Sequence, residues 1–413
     1  MASNMNKRKR SDDREHEPPS TGILSRTCHC VSERCSEGQC TIFSDFPVDL
    51  RNRLFSAIMT SFLDTGPPLH FLGIGPVSIT TLSIDNCNGE EPYAFCDAYC
   101  SVSRQEKRYL LAELFEMGID ILINYVKSEE IPRSKKERIV LSKLLHFLKN
   151  SEEKGETDPL QNLDKLEDQT EINIVLANHL FGKLSSTPDF LMDIQGKQKG
   201  DSCPCLSPMC KVTGSFGDTS VGNDQVWHGN LDIIVKNDLA IQSPKEAESQ
   251  GVKSPVEVKK GGKCLQKNPQ LIAETIVFSF LQKQKHPESN HYMFPCIGIL
   301  DTEMVFYFYD SEHDVLLESN RISLLTPDSN ISIVAVVSAW LVVNYRFLCS
   351  GLADILKPEK ASFFSKVKSK LSVYQNQLRL GKVRSAEQRF EKTNKFPLII
   401  GPVADRLKEK VDL

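Results

Sequence analysis

Two short apolar segments carry acidic residues at positions where a buried strand normally has aliphatic ones. The segment WHGNLDIIV occupies residues 227–235 and contains Asp232, and the segment VEVKK occupies residues 256–260 and contains Glu257 and Lys259. A carboxylate in a strand that faces a core is costly unless a metal ion, a lysine or a hydrogen-bond donor pairs with it. The identity of that partner decides what chemistry the two segments can perform.

Alternation along a strand puts Glu257 and Lys259 on one face of VEVKK. If the two strands are hairpin neighbours joined by the polar residues 236–254, Asp232 converges with them at one sheet edge. Two carboxylates bind Mg²⁺ or Mn²⁺, which lowers the pKa of a bound water and polarises a phosphoryl oxygen. The lysine can orient that water or stabilise charge, and the main-chain carbonyl of Val258 can complete the coordination. This set predicts metal-dependent phosphodiester hydrolysis.

These residues resemble the D…(D/E)xK signature of the PD-(D/E)xK nuclease superfamily, which has the restriction-endonuclease-like fold. In that superfamily a helix precedes the strands and a second helix follows the ExK strand, an order that residues 165–310 share. The resemblance implies that Asp232 and Glu257 are metal ligands and that Lys259 is the catalytic lysine. Leu231 stands where the signature has proline.

The resemblance implies two further site residues. Many members carry a glutamate on the first helix, for which Glu171 is the candidate, and exonuclease-like members carry a glutamine near the site, for which Gln270 is the candidate. Glu171 follows Asp168 by three residues, so it can instead complete a capping box. Glu274, one turn after Gln270, either supports the site or lies in solvent. The implied partner is nucleic acid, with DNA favoured over RNA.

The elements that would position these residues form an α/β pattern. A first helix covers residues 168–184, and a second begins at the N-cap Asn268, has Pro269 in its first turn and ends at His286 and Pro287. Three consecutive strands and a last apolar helix follow, over residues 292–301, 303–310, 314–319 and about 330–350. Together with the resemblance, this pattern implies a restriction-endonuclease-like core of helix, mixed central sheet and helix.

Composition shifts divide the 413 residues into five predicted regions. Before the core, strand-like residues 76–84 and amphipathic helices over 104–128 and 135–150 are expected. The regions are a disordered basic and cysteine-bearing tail (1–40), a mainly helical accessory region (41–150), a linker (151–167), the nuclease-like core (168–350) and a basic C-terminal arm (351–413).

The opening residues bear on localisation. They carry the basic cluster KRKR at 7–10 without an apolar segment after it, which predicts an intracellular protein. The cluster suits nuclear import, but such clusters also occur in solvated tails. The apolar uncharged stretch at residues 329–345 is shorter than the roughly 20 apolar residues of a membrane span. We therefore expect no membrane partner.

The net charge of −4 conceals a basic C-terminal stretch. Residues 357–395 hold eleven Lys and Arg against three Glu, interleaved with Phe363, Phe364 and Tyr374. Cations can contact phosphates and aromatic rings can stack on bases. Alternatively, this stretch is an amphipathic helix whose aromatic side chains dock on the core.

The 13 cysteines fall partly into two C-x-C-x₄-C clusters. Cys28, Cys30, Cys35 and Cys40 form one group with His29, and Cys203, Cys205 and Cys210 form the other. Either group could bind zinc, and both could share one site if they met in space. Because structural zinc sites usually show C-x₂₋₄-C spacing, the sequence favours free thiols.

Two other functions remain open. One is a catalytically silent module of the same fold that binds nucleic acid or a protein. The other is a regulatory protein in which Asp232 and Glu257 are structural.

Overall fold

The computed structural model describes residues 37–63, 75–153, 158–166, 169–187, 189–194, 202–205, 207, 209–235, 239–242 and 264–383. Several predictions fall outside this part of the chain, namely the basic cluster at 7–10, the side chains of Cys28, Cys30, Cys35 and Cys40, the cap Asp168, and the whole segment VEVKK with Glu257, Val258 and Lys259. These stay predictions.

The chain alternates helices and strands. The helices are α1 (Glu37–Ser44), α2 (Val48–Ser61), α3 (Glu116–Ser128), α4 (Lys135–Glu153), α5 (Asp158–Gln161), α6 (Gln169–Leu176), α7 (Gly182–Leu184), α8 (Pro269–Lys285), α9 (Ile333–Val343), α10 (Tyr345–Leu348), α11 (Phe363–Lys366) and α12 (Leu371–Asn376). The strands are β1 (Ser78–Cys87), β2 (Cys100–Leu110), β3 (Phe190–Asp193), β4 (Ser215–Gly217), β5 (Ser220–Gly222), β6 (His228–Asn230), β7 (Ile233–Val235), β8 (Leu239–Gln242), β9 (Met293–Leu300), β10 (Glu303–Asp310), β11 (Val315–Ser319), β12 (Ile322–Ser323) and β13 (Arg379–Leu380).

A mixed ten-stranded sheet forms the centre of the fold, in the order β2-β1-β11-β10-β9-β8-β7-β3-β4, with β12 pairing to β10. The neighbours β8 and β9 run parallel, as do β3 and β4, while the other pairs are antiparallel. A small sheet β13-β5-β6 lies beside it. The predicted α/β class with a mixed central sheet is therefore confirmed.

Helices cover both faces of the central sheet, so alternate residues of a strand enter two different cores. In β7, Ile233 and Val235 join the core built with α2, α3, α4, α6 and α9, whereas Ile234 joins the core built with α8. Burial on both faces explains why β9, β10 and β11 read as nearly continuous apolar runs. Their predicted meander is confirmed by the antiparallel pairs β9–β10 and β10–β11.

Helix α8 begins and ends where the sequence predicts. The side chain of Asn268 accepts a hydrogen bond from the Leu271 main-chain N–H at 3.1 Å, and Pro269 is the first helical residue. The helix ends before His286, which precedes Pro287. This cap fixes the start of the helix that carries Gln270 and Glu274.

The helix predicted over residues 104–128 is wrong in its first part. Residues up to Leu110 belong to β2, which pairs antiparallel with β1, and the helix α3 begins only at Glu116. Pairing with β1 outweighs the modest helical preference of the charged residues 104–108. Charged side chains are typical of an edge strand, because they discourage pairing with another chain.

The region 41–150, predicted to be a mainly helical accessory unit, contributes β1 and β2 to the central sheet. Strand β1 pairs with β11, which belongs to the predicted core, so one sheet joins the two regions. Within the predicted linker 151–167, the side chains of Leu160 and Leu163 are buried in the same core as α4 and α6.

The C-terminal stretch up to residue 383 packs into the fold, and two of its aromatic side chains, Phe363 and Tyr374, are core residues. Phe363 stacks on Trp227 with ring centroids 5.6 Å apart, and Tyr374 contacts Phe363 edge-to-face at 5.1 Å. Both side chains are fully buried. Of the two interpretations of this stretch, the contacts favour docking of Phe363 and Tyr374 on the core over stacking on bases, because Trp227 and Phe280 occupy their faces and edges.

Among the helices of the described ranges, none combines the length and the apolar composition that crossing a bilayer requires.

Candidate functional site

Asp232 lies at the N-terminal end of β7, directly opposite Asp193 at the C-terminal end of β3. The register of the antiparallel pair runs from Phe190 and Val235 to Met192 and Ile233, and the main-chain N–H of Asp193 donates to the Asp232 carbonyl oxygen at 3.0 Å. Opposite residues of an antiparallel pair point to the same face. The two carboxylates therefore share the face that α8 covers.

A third polar residue continues this line across the sheet. In the pair β7–β8, Ile233 lies opposite Ile241, and the next pair places Gln242 opposite Asp232. The main-chain N–H of Asp232 donates to Oε1 of Gln242 at 2.7 Å, and Gln242 is fully buried. Asp193, Asp232 and Gln242, on three adjacent strands, are called the polar row below.

Asparagine side chains orient both carboxylates of the polar row. Nδ2 of Asn173, on α6, donates to Oδ2 of Asp232 at 2.9 Å, and Nδ2 of Asn230 donates to Oδ2 of Asp193 at 3.1 Å. Asn173 is itself buried, with 5% of its surface exposed. In each carboxylate, therefore, an asparagine amide group holds one of the two oxygen atoms.

Helix α8 adds buried polar groups on the same side of the sheet. Nε2 of Gln270 donates to Oε1 of Glu274 at 2.9 Å, one turn further along the helix, and Glu274 has no exposed surface. Glu274 therefore does not lie in solvent, which excludes one of the two interpretations of its sequence position. A fully buried carboxylate is costly unless the surroundings stabilise it, and the Gln270 amide supplies one such contact.

Cys296 on β9 links Glu274 to the polar row. Burial raises the pKa of the Cys296 thiol well above its usual value, and the negative charges of Glu274 and Asp232 raise it further. Asp232 and Glu274, which come from different elements, therefore both lie on the α8 side of the sheet, where Cys296 is buried.

This arrangement suits a hard divalent cation. Like charges directly opposite each other on neighbouring strands repel, and a cation between them turns repulsion into attraction. The groups around the polar row offer carboxylate and amide oxygens, which are the donors that Mg²⁺ and Mn²⁺ accept. The residues present therefore fit the predicted metal.

The predicted site residues divide into three groups. Asp232 and Gln270 lie on the same side of the sheet, in the elements where the sequence puts them. Glu171 is half-buried in the first turn of α6, two residues before Asn173, and so on a different helix face. Its role as a metal ligand stays a prediction, as do those of Glu257, Val258 and Lys259, outside the described residues.

The strand arrangement around Asp232 differs from the predicted hairpin in two respects. The segment WHGNLDIIV forms two strands, since His228–Asn230 pairs with β5 in the small sheet and only Ile233–Val235 joins the central sheet. The strand that follows β7 in the chain and pairs with it is β8. It lies inside residues 236–254, which were expected to be a polar connection. The run LAIQ is apolar enough for a short buried strand, a signal that its polar flanks concealed.

A second cluster that could bind a ligand lies where the helix α6–α7 meets residues 202–211, called the cysteine loop below. His179, Cys203, Cys205 and Cys210 present one nitrogen and three sulfur atoms that all lie within 4.8 Å of one another. These four side chains can hold a metal ion. They are called the His–Cys cluster below.

The His–Cys cluster changes the expectation of free thiols for Cys203, Cys205 and Cys210. Nε2 of His179 lies 3.4 Å from the sulfur of Cys203 and 3.5 Å from that of Cys210. Burial raises the pKa of the Cys203 thiol to about 12 and also raises that of Cys210. These thiols therefore stay protonated near neutral pH unless a cation replaces the protons.

Asp193, Asn173 and His179 are not recognisable as site residues from the sequence. Each occupies an apolar element and matches no motif, so only three-dimensional proximity reveals it. Asp193 follows the strand-like run FLM, and an acid at a strand end was the available signal. His179 follows Asn178 in a helix, 24 residues before Cys203, which is too distant for spacing rules to connect them.

Comparisons with protein-family models, with curated proteins and with solved structures gave no match to this chain. The chemistry of the polar row and of the His–Cys cluster is therefore inferred from their own residues.

Proposed function

We propose that this chain is a metal-dependent nuclease that hydrolyses phosphodiester bonds of nucleic acid. The observation that carries the proposal is the pair of opposite carboxylates Asp193 and Asp232, on the side of the sheet where α8 carries the buried Glu274. Glu257 and Lys259 complete the site in this proposal, Glu257 as a second metal ligand and Lys259 as the catalytic lysine.

The order of elements supports a restriction-endonuclease-like core. A helix (α6 to α7) precedes the strands β3, β7 and β8, and a second helix (α8) follows them. VEVKK lies between β8 and α8 in the chain, as an ExK strand does in that superfamily. Asp232 precedes VEVKK in the chain, so the two motifs keep the order that the superfamily requires.

The described residues have definite roles in this mechanism. Asn173 holds Oδ2 of Asp232, and Gln242 holds the main chain at the same residue, so the carboxylate keeps one orientation. Glu274 anchors the amide of Gln270 beside the site. Asp232 and Glu257 would hold a Mg²⁺ or Mn²⁺ ion, which would supply an activated water and neutralise charge on the phosphoryl group.

The mechanism needs a positively charged side chain near the phosphoryl group, and Lys259 supplies it in this proposal. A lysine beside two carboxylates can orient the attacking water or stabilise the charge that develops on the phosphoryl oxygens. Its own charge also favours the ionised form of neighbouring carboxylates. Lys259 therefore acts on the attacking water or on the phosphoryl charge, and Asp232 and Glu257 bind the metal.

The proposed substrate is DNA in preference to RNA, and the proposed location is intracellular. The basic cluster at 7–10 would serve nuclear import in that setting.

The test is cleavage of labelled single- and double-stranded DNA and RNA in Mn²⁺ by the full chain. Asp232→Asn and Lys259→Ala should abolish cleavage. Asp301→Asn is the matched control, because Asp301 is an exposed acid in the turn between β9 and β10 and asparagine tolerates its positive φ of 53°. Circular dichroism of each variant excludes unfolding as the cause.

The same assay separates the rival functions. Absence of cleavage by the wild type, with tight binding of nucleic acid retained, would favour a silent binding module. Equal cleavage by the wild type and Asp232→Asn would show that the activity does not come from this site.

A further inference from the structure

The His–Cys cluster has the dimensions of a tetrahedral metal site. With zinc–sulfur bonds of about 2.3 Å and zinc–nitrogen bonds of about 2.0–2.1 Å, a tetrahedral zinc ion holds its sulfur and nitrogen ligands about 3.5 Å apart. Nε2 of His179 lies 3.4 Å from Sγ of Cys203 and 3.5 Å from Sγ of Cys210. Both nitrogen–sulfur separations therefore match those around a zinc ion, and all four ligand atoms of the cluster lie within 4.8 Å of one another.

A short hairpin brings the cysteine ligands together. Ser202 and Lys211 form an antiparallel bridge, and the main-chain N–H of Cys203 donates to the carbonyl oxygen of Cys210 at 3.1 Å. The N–H of Cys210 donates in turn to the carbonyl oxygen of Ser207 at 3.1 Å, which tightens the turn. Two cysteines seven residues apart thus become neighbours, and Cys205 lies in the loop between them.

The helix supplies its ligand from an irregular turn. Between α6 and α7 the chain makes a π-helical turn, Ala177–Phe181, which contains both Asn178 and His179. A π turn inserts an extra residue into an α-helix and is frequent at functional sites. Here, the two polar side chains of the turn both reach the cysteine loop.

Asn178 and the main chain support the sulfur atoms as outer-shell groups support metal ligands. Nδ2 of Asn178 donates to Sγ of Cys210 at 3.4 Å and to the Lys211 carbonyl oxygen at 3.1 Å. Its Oδ1 accepts from both the N–H and the hydroxyl of Thr213, at 3.0 and 2.8 Å. An N–H contact to sulfur, such as the one from Asn178 to Cys210, stabilises a thiolate.

We propose that His179, Cys203, Cys205 and Cys210 bind one zinc ion as a structural site. Three thiolates and one imidazole fill all four positions of the tetrahedron, and closed Cys₃His sites of this kind are structural. The ion ties the cysteine loop to the helix α6–α7. Because Cys203 and Cys205 are buried in the core beside that helix, a bound metal also gives partners to sulfur atoms that water cannot reach.

The zinc site stands independently of the proposed nuclease, although the two share a helix. Asn173, which holds Asp232, lies less than two turns before His179 in the same helix. The zinc ion therefore fixes the element from which one side chain of the polar row is oriented.

The test combines metal analysis with X-ray absorption at the zinc edge, both on the purified full chain. The wild type should contain zinc with three sulfur ligands and one nitrogen ligand. Cys210→Ser should contain one zinc ion fewer per chain than the wild type. Cys87→Ser is the matched control, because Cys87 is equally half-buried but lies outside the cluster, and it should keep the wild-type content. Comparing variants also removes any contribution from Cys28, Cys30, Cys35 and Cys40.

Two results would overturn the proposal. One is equal zinc content in the wild type and in Cys210→Ser. The other is a wild-type chain that, after reconstitution with zinc, shows no sulfur-rich zinc coordination. The second result does not depend on the folding of any variant, since it comes from the wild type alone.

Discussion

Asp193 and Asp232 lie directly opposite each other on neighbouring antiparallel strands, joined by a main-chain hydrogen bond of 3.0 Å. Opposite side chains in such a pair have Cβ atoms about 4.5–5.5 Å apart, so two carboxylates there repel. One asparagine holds each of them in place. The chain thus maintains a concentrated negative charge at this point, which is the property that a divalent cation requires.

Asp193→Asn should separate the binding of metal from stability. The new side chain still accepts the hydrogen bond from Asn230 and removes one of the two like charges, so in EDTA the variant should be at least as stable as the wild type. Mn²⁺ should raise the melting temperature of the wild type but have little effect on the variant. Thermal melts with and without Mn²⁺ measure both quantities. A variant that retains the full Mn²⁺ shift would exclude Asp193 from the site.

Glu274→Gln should reduce Mn²⁺-dependent cleavage by about 10–100-fold, the usual effect of losing an outer-shell partner of a metal site. The buried Gln270 amide keeps a side-chain acceptor in this variant, so stability should change little. Glu274→Ala removes that acceptor and should lower the free energy of unfolding by about 1–3 kcal/mol. Single-turnover cleavage and urea unfolding distinguish the two effects. Wild-type cleavage by Glu274→Gln would limit Glu274 to a packing role.

Removal of zinc should destabilise the chain. If free zinc exceeds its dissociation constant about 100-fold, binding contributes roughly 2.7 kcal/mol, and a loss of that size lowers the melting temperature of a chain of this length by about 3–4 °C. His179→Ala should show this decrease without a chelator, and should not respond to added zinc. Cys87→Ser should behave as the wild type. A melting temperature that zinc and chelator leave unchanged in the wild type would contradict a structural role.

Phe363→Leu should weaken the fold without weakening the binding of nucleic acid. Its ring packs on Trp227, Phe280 and Tyr374 inside the core, so the substitution should cost on the order of 1–2 kcal/mol of stability. Below the melting transition, the dissociation constant for single-stranded DNA should equal that of the wild type. A large loss of affinity in the folded variant would restore the base-stacking interpretation of this stretch.

Acid should destabilise the chain through His291. Burial lowers the pKa of His291 below its usual value of 6.5, an effect that Asp310 opposes and Arg346 reinforces. The unfolded state therefore binds a proton more readily, so stability is complete above about pH 6.5 and decreases as the pH falls below that value. His291→Phe keeps a ring against Tyr345 and should flatten this part of the stability curve. An unchanged pH dependence in the variant would point to other groups.

Capping residues, prolines and apolar runs in the sequence predict some elements well. Asn268 and Pro269 at one end and His286 and Pro287 at the other delimit α8, because a cap and two prolines act locally. The meander of β9, β10 and β11 also follows from its apolar runs. By contrast, β2 was predicted as helix, since pairing with β1 is a long-range contact that outweighs local preference.

The candidate site was predictable only in part, for the same reason. Asp232 and Gln270 belong to recognisable patterns, whereas Asp193, Asn173 and His179 gain their roles from neighbours distant in sequence. The strand β8 lies within residues 236–254, whose mostly polar composition favours a connection over a strand. Spacing rules detect ligands that are close in the chain, and the His–Cys cluster takes one ligand from a helix 24 residues away from the next.

The most direct test of the central claim is the binding of Mn²⁺ by the wild type, Asp232→Asn and Asp301→Asn, followed by electron paramagnetic resonance of the free ion. We predict that the wild type and Asp301→Asn bind Mn²⁺ equally and that Asp232→Asn loses most of the affinity. If the wild type binds no Mn²⁺, or if Asp232→Asn binds it as tightly as the wild type, the acids of the polar row are structural and the proposed metal site is wrong.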